Sequence, residues 1–216
     1  MRCANKAISR TRYPTPIIVD VINQVTDSTV FSKLDLNIAF HQLKLSPKSR
    51  SITTFQSDTR LKRFKRLNFG VNSAQEELQH ALRQTLLGIT GVANIADDIL
   101  VYGRNENEHD ITLSKVLHRL SDNGLTLNLS KCIFGKTTLI FYGYTFSEDG
   151  IKPNLQKVTE IKNTPPPEDE KSLRSFLGLM NYFKRFIKDF STVTHPLREL
   201  LKKDTEYKWS EGCQTA

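Results

Sequence analysis

The sequence is poor in cysteine and has no long apolar run. Its three cysteines, Cys3, Cys132 and Cys213, are far apart and odd in number, so they indicate neither a disulfide framework nor a metal-ligand spacing. No apolar run approaches the roughly 20 residues that a membrane-spanning helix needs. The basic N-terminal stretch MRCANKAISRTRYPTP lacks the apolar centre of a secretory signal. We therefore expect an intracellular protein of the cytoplasm or nucleus, neither secreted nor bound to a membrane.

Several widespread catalytic motifs are also missing. The sequence contains no GxxxxGK[ST] phosphate loop, no HExxH motif and no GxSxG motif, so those NTPase and hydrolase classes have no support. Its five histidines have no metal-ligand spacing. His109 and His118 fall in or beside an expected surface helix, where a structural role is the simpler interpretation.

The composition indicates a globular protein with an excess of positive charge. Of the 216 residues, 38% are hydrophobic and 25% are charged, as in soluble globular domains. This length is enough for one large or two small domains. The formal net charge is +8 and the pI is about 9.4, which favours a polyanionic partner.

The positive charge is concentrated in RLKRFKRLNF, residues 60–69. Alternate side chains of an extended chain share a face. The face that carries an aromatic ring here consists of Arg60, Lys62, Phe64 and Arg66. Such a face suits a nucleic-acid backbone and its bases. The alternative is a solvated edge strand that its charges protect from pairing with other chains.

Periodicity and turn signals predict six elements in the order strand, helix, strand, strand, helix, strand. They are STVFSKLDL (28–36), SAQEELQHALRQTLLG (73–88), the two strands of GVANIADDILVYG (91–103), NENEHDITLSKVLHRLSDNG (105–124) and LIFYGYTF (139–146). Ser73 and Glu76 have the spacing of a capping box at the start of the first helix, and Gly88 can end it.

This order predicts an α+β fold in the split βαβ arrangement, with an antiparallel sheet and both helices on one face. A strand order of 4-1-3-2 would place the first strand beside the hairpin. Asp35, near the end of the first strand, would then lie close to Asp97 and Asp98 in the hairpin turn, although about 60 residues separate them in the sequence.

Three carboxylates at one sheet edge would form an all-oxygen site suited to magnesium or manganese. Without metal they would repel one another, since two unit charges 4 Å apart cost about 4 kcal/mol at an effective dielectric of 20. The pair Asp97–Asp98 is weak evidence by itself, because an ordinary acidic hairpin turn has the same sequence. Of the two, we expect Asp97 to be the stronger ligand.

After Gly150 the sequence becomes helical. Three helices are predicted at 154–164, 168–187 and 195–204, and TPPPEDE at 164–170 is a candidate boundary. Basic residues near the end of the second helix, including Lys184 and Arg185, would suit a lever that grips a nucleic-acid duplex. A small helical packing module is an equally good interpretation of the periodicity.

Together these motifs resemble the reverse transcriptases of gypsy-like LTR retrotransposon pol polyproteins, from MRCANKAISRTRYPTP to LRELLKKDTEYKWSE. FSKLDLNIAFHQLKL resembles the first catalytic motif, and NIADDIL resembles the YxDD box with Ile95 at the tyrosine position. The resemblance implies that Asp35, Asp97 and Asp98 bind two magnesium ions, with manganese as a possible substitute. GLTLNLSKCIF resembles the next motif, which implies that Lys131 protonates the leaving pyrophosphate.

The resemblance also implies a nucleotide site. Phe40 falls at the aromatic steric gate that selects deoxynucleotides, although simple core packing is the alternative. LNFGVNSAQEELQ is similar to the family's MPFGLTNAPATFQ, so Phe69 and Gly70 would contact the incoming nucleotide. Gln75 stands where a proline is usual, so this turn is expected to differ.

The remaining motifs imply contacts with nucleic acid. LIFYGY resembles the primer grip, and LRSFLGLMNYFKRFI resembles the thumb helix that follows the primer–template minor groove. The expected contact residues are Arg60, Lys62, Arg66, Phe141, Tyr142, Gly143, Lys184 and Arg185.

The implied architecture is a polymerase palm with partial fingers and a three-helix thumb. The fingers would comprise 1–25 and 43–73, the catalytic palm 26–42 and 74–148, and the thumb 149–205, with the start of a connection segment at 206–216. The sequence begins at what resembles the tail of the family's DMRxAN motif, which Arg2 and Asn5 fit. It contains no ribonuclease H segment.

We therefore expect an RNA-directed DNA polymerase that adds deoxynucleoside triphosphates to a primer on an RNA or DNA template; its oligomeric state is not predicted. The lysine and arginine that clamp the triphosphate in the family are expected upstream of this sequence. Losing two charge-assisted contacts would weaken nucleotide use roughly 10²–10⁴-fold. The alternative is an impaired retroelement remnant that only binds nucleic acid.

Overall fold

The computed structural model describes residues 2–10, 13–203 and 205–215. The chain forms two compact units, Met1–Ile151 and Lys152–Ala216. Within the described residues, no helix combines the length and the apolar character needed to cross a membrane.

The first unit is a mixed α and β structure. Its helices are α1 (Arg2–Ala7), α2 (Ile18–Gln24), α3 (Ala39–Gln42), α4 (Ala74–Leu86) and α5 (Glu106–Asp122). Its strands are β1 (Val30–Asp35), β2 (Thr54–Gln56), β3 (Leu61–Arg63), β4 (Val92–Ile95), β5 (Asp98–Gly103), β6 (Ile133–Lys136), β7 (Thr138–Phe141) and β8 (Tyr144–Ser147), and β9 (Gly150–Pro153) begins at the end of the unit.

Four strands form the central antiparallel sheet, in the order β4-β5-β1-β6. β1 and β5 are rich in β-branched and large apolar side chains, which suit a pleated, buried surface. The predicted α+β fold is confirmed, including the position of the hairpin β4–β5 directly beside β1.

The core lies between this sheet and two helices. Leu34 of β1 packs in one apolar cluster with Leu78 and Leu82 of α4 and with Val116 and Leu120 of α5. Both helices therefore lie on the same face of the sheet, as the split βαβ arrangement requires. The opposite face carries every second residue of β1, including Asp35.

The helix ends differ partly from the sequence prediction. The predicted capping box is wrong, because Ser73 makes no side-chain capping bond and the Glu76 carboxylate accepts a 2.6 Å hydrogen bond from Arg10 instead. α4 ends just before Gly88, whose φ of +81° suits glycine. In α5, His109 is buried, and its Nε2 lies 2.8 Å from Ser32 Oγ.

The segment 139–146 is not the single strand that the alternation predicted. Tyr142 and Gly143 both have positive φ, +47° and +75°, which is the backbone of a two-residue hairpin turn. The chain therefore folds back, and Phe141 of β7 lies opposite Tyr144 of β8. The fourth strand of the central sheet is β6 instead, which pairs with β1 in an irregular register.

The basic segment forms a separate small hairpin. Within the described part of the chain, β2 and β3 pair only with each other, and all six of their residues are exposed. β3 is shorter than the extended segment predicted for residues 60–69, since it ends at Arg63. Such a two-stranded ribbon has little core of its own to stabilise it.

The second unit is helical, with an apolar cluster that contains Leu173, Leu197, Leu200 and Cys213. Its helices are α6 (Leu155–Lys162), α7 (Glu170–Tyr182), α8 (Phe190–Val193), α9 (His195–Glu199) and α10 (Glu211–Thr215). The three predicted helices correspond to α6, α7 and α9. Asp169 caps α7 by accepting a 2.7 Å hydrogen bond from the Ser172 amide, and α7 ends five residues earlier than predicted, at Tyr182 rather than 187.

Candidate active site at the sheet edge

The three aspartates of the sequence prediction come from two neighbouring strands. Asp35 ends β1 and lies directly opposite Asp98, the first residue of β5. Asp97 occupies the turn between β4 and β5. Asp35 and Asp98 are partly buried and Asp97 is exposed. Strand pairing therefore places all three residues at one edge of the sheet.

Hydrogen bonds with Gln79 and Asn94 hold the turn that carries Asp97. Ala96 has a φ of +52°, a conformation that costs a residue with a Cβ roughly 1–2 kcal/mol. Gln79 of α4 is fully buried, and its Oε1 accepts a 2.8 Å hydrogen bond from the Ala96 amide. Asn94 closes the turn from the other side, because its Nδ2 donates to the Ala96 carbonyl at 3.3 Å.

Two lysines approach the carboxylates. Lys33 Nζ lies 3.0 Å from Asp98 Oδ1, and both side chains are largely shielded, at 26% and 20% exposure. Lys131 Nζ lies 3.9 Å from Asp35 Oδ1, but its side chain is 65% exposed. The first contact is therefore a close, partly buried ion pair and the second a loose surface contact.

The pKa of Asp98 reflects these neighbours. Burial raises it above the ordinary aspartate value, the bond to Lys33 lowers it, and the charges of Asp97 and Asp35 raise it again, with a net upward shift. Asp98 is thus close enough to the other two carboxylates to be repelled by them, and a bound cation would relieve that repulsion.

The donor set fits a hard cation, but it is not a closed cage. In the described part of the chain, no three His, Cys, Asp or Glu side chains are grouped so that they could hold a metal ion by themselves. Magnesium in nucleotide enzymes is usually bound by one or two carboxylates together with substrate phosphates. An open pair of carboxylate oxygens at a sheet edge is compatible with that mode of binding.

The residues predicted to contact a nucleotide line one cavity of about 340 Å³ in the first unit. The rings of Phe40 and Phe69 meet edge to face with centroids 5.1 Å apart, and Phe69 is 60% exposed. Gly70 follows with a φ of +86°. Asn5 fastens this loop, because its Nδ2 donates to the Gly70 carbonyl at 2.7 Å and its Oδ1 accepts from the Asn72 amide at 3.1 Å.

The hairpin β7–β8 contacts the strand that leads into the acidic turn. The Tyr142 hydroxyl donates to the Ile95 carbonyl at 3.1 Å. Phe141, which the resemblance assigned to nucleic-acid contact, is only 1% exposed and packs against Phe146 and Tyr142. Its side chain therefore packs beneath the β7–β8 hairpin turn, which Tyr142 and Gly143 form.

The predicted basic contacts are on the surface but lie in different places. Arg60 and Lys62 lie at the end of the small hairpin and are exposed. Arg66 is exposed as well, although one of its guanidinium nitrogens donates to the Gln42 carbonyl at 2.7 Å. Lys184 and Arg185 are exposed residues of the helical unit, in a short 3₁₀ turn after α7.

Comparison with known proteins decides the family. The family profile described as "Reverse transcriptase (RNA-dependent DNA polymerase)" matches residues 1–146. This chain belongs to the reverse transcriptase family. The resemblance stated from the sequence motifs is therefore confirmed.

The relatives of this reverse transcriptase domain include retrotransposon proteins. The Tf2-3 polyprotein of Schizosaccharomyces pombe (strain 972 / ATCC 24843) is 32% identical over 209 residues, which cover 95% of this chain and 16% of the polyprotein. The Tf2-7 polyprotein of the same yeast matches with the same identity and coverage. The chain spans about a sixth of the length of these polyproteins.

Solved structures of foamy viral protease–reverse transcriptase have the same fold. One, a complex with double-stranded DNA, superposes with a TM-score of 0.89 at 23% identity and covers 99% of this chain and 38% of the viral chain. Another, a complex with an RNA/DNA hybrid, gives a TM-score of 0.81 at 24% identity and covers 97% of this chain and 29% of the viral chain.

Sequence reasoning gave no role at the candidate site to four residues that shape it. Gln79 and Asn94 hold the acidic turn, Asn5 holds the Gly70 loop, and Lys33 binds Asp98. One signal was available for Lys33, which stands two residues before Asp35 and therefore on the same strand face. Nothing local marks Gln79, whose partner lies 17 residues further along the chain.

Proposed function

We propose that this domain is an RNA-directed DNA polymerase that extends the 3′-hydroxyl of a primer with deoxynucleotides. One observation carries the proposal: the register of β1 and β5 brings Asp35 opposite Asp98, with Asp97 in the adjoining turn. This arrangement supplies clustered carboxylate oxygens at an exposed edge, which phosphoryl transfer assisted by two metal ions requires.

In this proposal Asp35 and Asp97, with Asp98 beside them, hold two magnesium ions, and manganese can replace them. Bound there, the ions would activate the attacking 3′-hydroxyl and stabilise the leaving oxygen. Gln79 accepts a hydrogen bond from the amide of Ala96, and this contact fixes the orientation of Asp97, the next residue. Lys131 is exposed and 3.9 Å from Asp35, so its flexible ammonium can reach a leaving pyrophosphate and give it a proton.

The deoxynucleoside triphosphate would occupy the cavity that Phe40, Phe69 and Gly70 line. The edge-to-face contact with Phe69 restrains the Phe40 ring, and a restrained ring can exclude a ribose 2′-hydroxyl. Phe40→Ala should therefore raise the rate of ribonucleotide incorporation relative to deoxynucleotide incorporation. An unchanged ratio would assign Phe40 to packing alone.

The nucleic-acid partner would be a primer annealed to an RNA or DNA template. The foamy viral reverse transcriptases of the same fold were solved with double-stranded DNA and with an RNA/DNA hybrid. In this chain the support is the net charge of +8 together with the exposed Arg60 and Lys62 of the first unit and Lys184 and Arg185 of the second. Contacts from such residues to phosphates are salt-dependent and independent of sequence.

The test is primer extension on an RNA template with Mg²⁺ or Mn²⁺. We expect extension by the wild-type chain, a loss of at least 10²-fold in Asp97→Asn because a ligand for the metals is removed, and no loss in Asp122→Asn, a matched exposed aspartate at the end of α5. Duplex binding without extension by the wild-type chain would instead support a remnant that only binds nucleic acid.

A further inference from the structure

Lys33 is a positively charged residue of the central sheet that forms an ion pair with Asp98. It lies on β1 opposite Leu100, two pairs before the pair Asp35–Asp98. Its side chain points to the face that carries the aspartates, and it reaches diagonally to Asp98 Oδ1 at 3.0 Å. The two side chains are only 26% and 20% exposed, so the ammonium is a largely shielded charge held beside Asp98.

The three aspartates are consequently not equivalent. Asp98 is bound to a shielded lysine, and Asp35 is approached at 3.9 Å by the exposed Lys131. Asp97 is exposed and forms no ion pair within the described residues. Because an ammonium donates hydrogen bonds and accepts none, the Asp98 oxygen that it binds is less available to a metal.

We propose that Lys33 is a positioning residue that withholds Asp98 from the metal ions, so that Asp35 and Asp97 bind them while the ion pair Lys33–Asp98 acts as a neutral unit. The inference rests on the proposed function. It agrees with a site that needs only one or two carboxylates besides substrate phosphates, and with the lack of a three-carboxylate cage in the described residues.

The competing explanation is that Lys33 only ties β1 to β5 as a structural ion pair. The two explanations differ in what happens to metal affinity. A structural pair, once removed, lowers stability and leaves metal affinity unchanged. If Lys33 is the neutralising charge, its removal both releases Asp98 and takes away a nearby positive charge, so the metal should bind more tightly.

The experiment measures Mn²⁺ affinity of the whole chain, without nucleotide, by electron paramagnetic resonance of the free ion. We expect Lys33→Met to bind Mn²⁺ roughly tenfold or more tightly than the wild type, because a unit charge a few ångströms away is worth at least that factor. Lys33→Arg, which keeps the charge, should resemble the wild type. Thermal unfolding checks that each variant is folded, and Lys33→Gln serves as the second neutral variant.

A double variant tests whether Asp98 is itself a ligand. Asp98→Asn alone should weaken Mn²⁺ binding, because Lys33 is left without its partner. Lys33→Met combined with Asp98→Asn removes the neutral pair as a unit and should return the affinity to within about threefold of the wild type, since the two net charges cancel. An affinity that stays tenfold weaker in the double variant would make Asp98 a ligand and overturn the inference.

The variant Asp97→Asn distinguishes a failure of the inference about Lys33 from a failure of the proposed function on which it rests. If Mn²⁺ binding is lost in Asp97→Asn but unchanged in Lys33→Met, the metal site stands and the role given to Lys33 is wrong. If the wild-type chain binds no Mn²⁺, or Asp97→Asn binds it as well as the wild type, the proposed metal site fails and the inference fails with it.

Discussion

Two hairpins of the first unit differ in what holds them in place. β4–β5 carries the acidic turn, and Ile99, Leu100 and Val101 of β5 are fully buried, since this strand pairs on both sides and packs against helices. β2–β3 carries basic residues, pairs with no other strand among the described residues, and has all six residues exposed. The acidic groups therefore lie at the start of a buried strand that is paired on both sides, and the basic groups on an exposed two-stranded ribbon.

The difference follows from the chemistry that each hairpin would perform. Carboxylates that share metal ions must keep their geometry to a fraction of an ångström, which requires support from packed neighbours. Basic side chains that meet a phosphate backbone act through long-range charge and tolerate movement. Damage to the first hairpin should therefore affect stability and activity, and damage to the second should mainly affect nucleic-acid binding.

The largest expected effect comes from the core behind the acidic turn. Leu34→Ala should lower the free energy of unfolding by about 2–5 kcal/mol, because it leaves a cavity between the sheet and α4. The matched change Leu61→Ala in β3, where the side chain is 69% exposed, should stay within about 0.5 kcal/mol. Urea unfolding measures both, and similar losses at the two positions would contradict the contrast.

The next largest effect concerns Gln79, which holds the acidic turn through its hydrogen bond with the Ala96 amide. Gln79→Ala leaves the Ala96 amide without its acceptor, and a buried unpaired donor costs about 1–3 kcal/mol. Primer extension should also fall, because Asp97 is no longer held. Gln84→Ala is the control, an exposed glutamine on the same helix. If the two variants behave alike in both assays, Gln79 does not position the turn.

A smaller effect is expected at the basic hairpin. Lys62→Ala should weaken duplex binding and reduce the slope of log affinity against log salt by about 0.9, the value of one phosphate contact. Lys115→Ala, an exposed lysine of α5, should leave the slope as it is. Unfolding free energies of both variants should match the wild type within about 0.5 kcal/mol. Equal slopes in the wild type and both variants would show that Lys62 does not contact the nucleic acid.

The smallest effect concerns acid stability. Burial acts to raise the pKa of Glu76, but a backbone hydrogen bond and the Arg10 side chain outweigh it, so the pKa lies below the usual 4.5. A carboxyl group with a lowered pKa stabilises the fold above its unfolded-state pKa and loses this contribution as the pH falls through its folded-state value. The Tm advantage of the wild type over Glu76→Gln should therefore be present at pH 7 and shrink below about pH 4.5. Glu77→Gln, an exposed neighbour, should show no such trend.

Local sequence signals predicted most elements of the sheet but not every pairing. The alternation around Leu34 and the helical period of α4 and α5 are properties of short segments, and all three elements formed where expected. The alternation of 139–146 was misleading, because a glycine in the middle of the segment allows a tight turn and the residues on both sides still alternate. The strand at 133–136 lacked a comparable signal.

The sequence by itself determined which carboxylates exist, the order of β1, α4, β4, β5 and α5, and the motifs that identify the family, because these depend on residue type and local spacing. Only the tertiary structure decided that Lys33 binds Asp98, that Gln79 reaches the Ala96 amide, and that Phe141 is buried under its turn. Those contacts depend on the register between strands and on the seating of α4 against the sheet. Such distances arise from packing the whole unit, and no short segment encodes them.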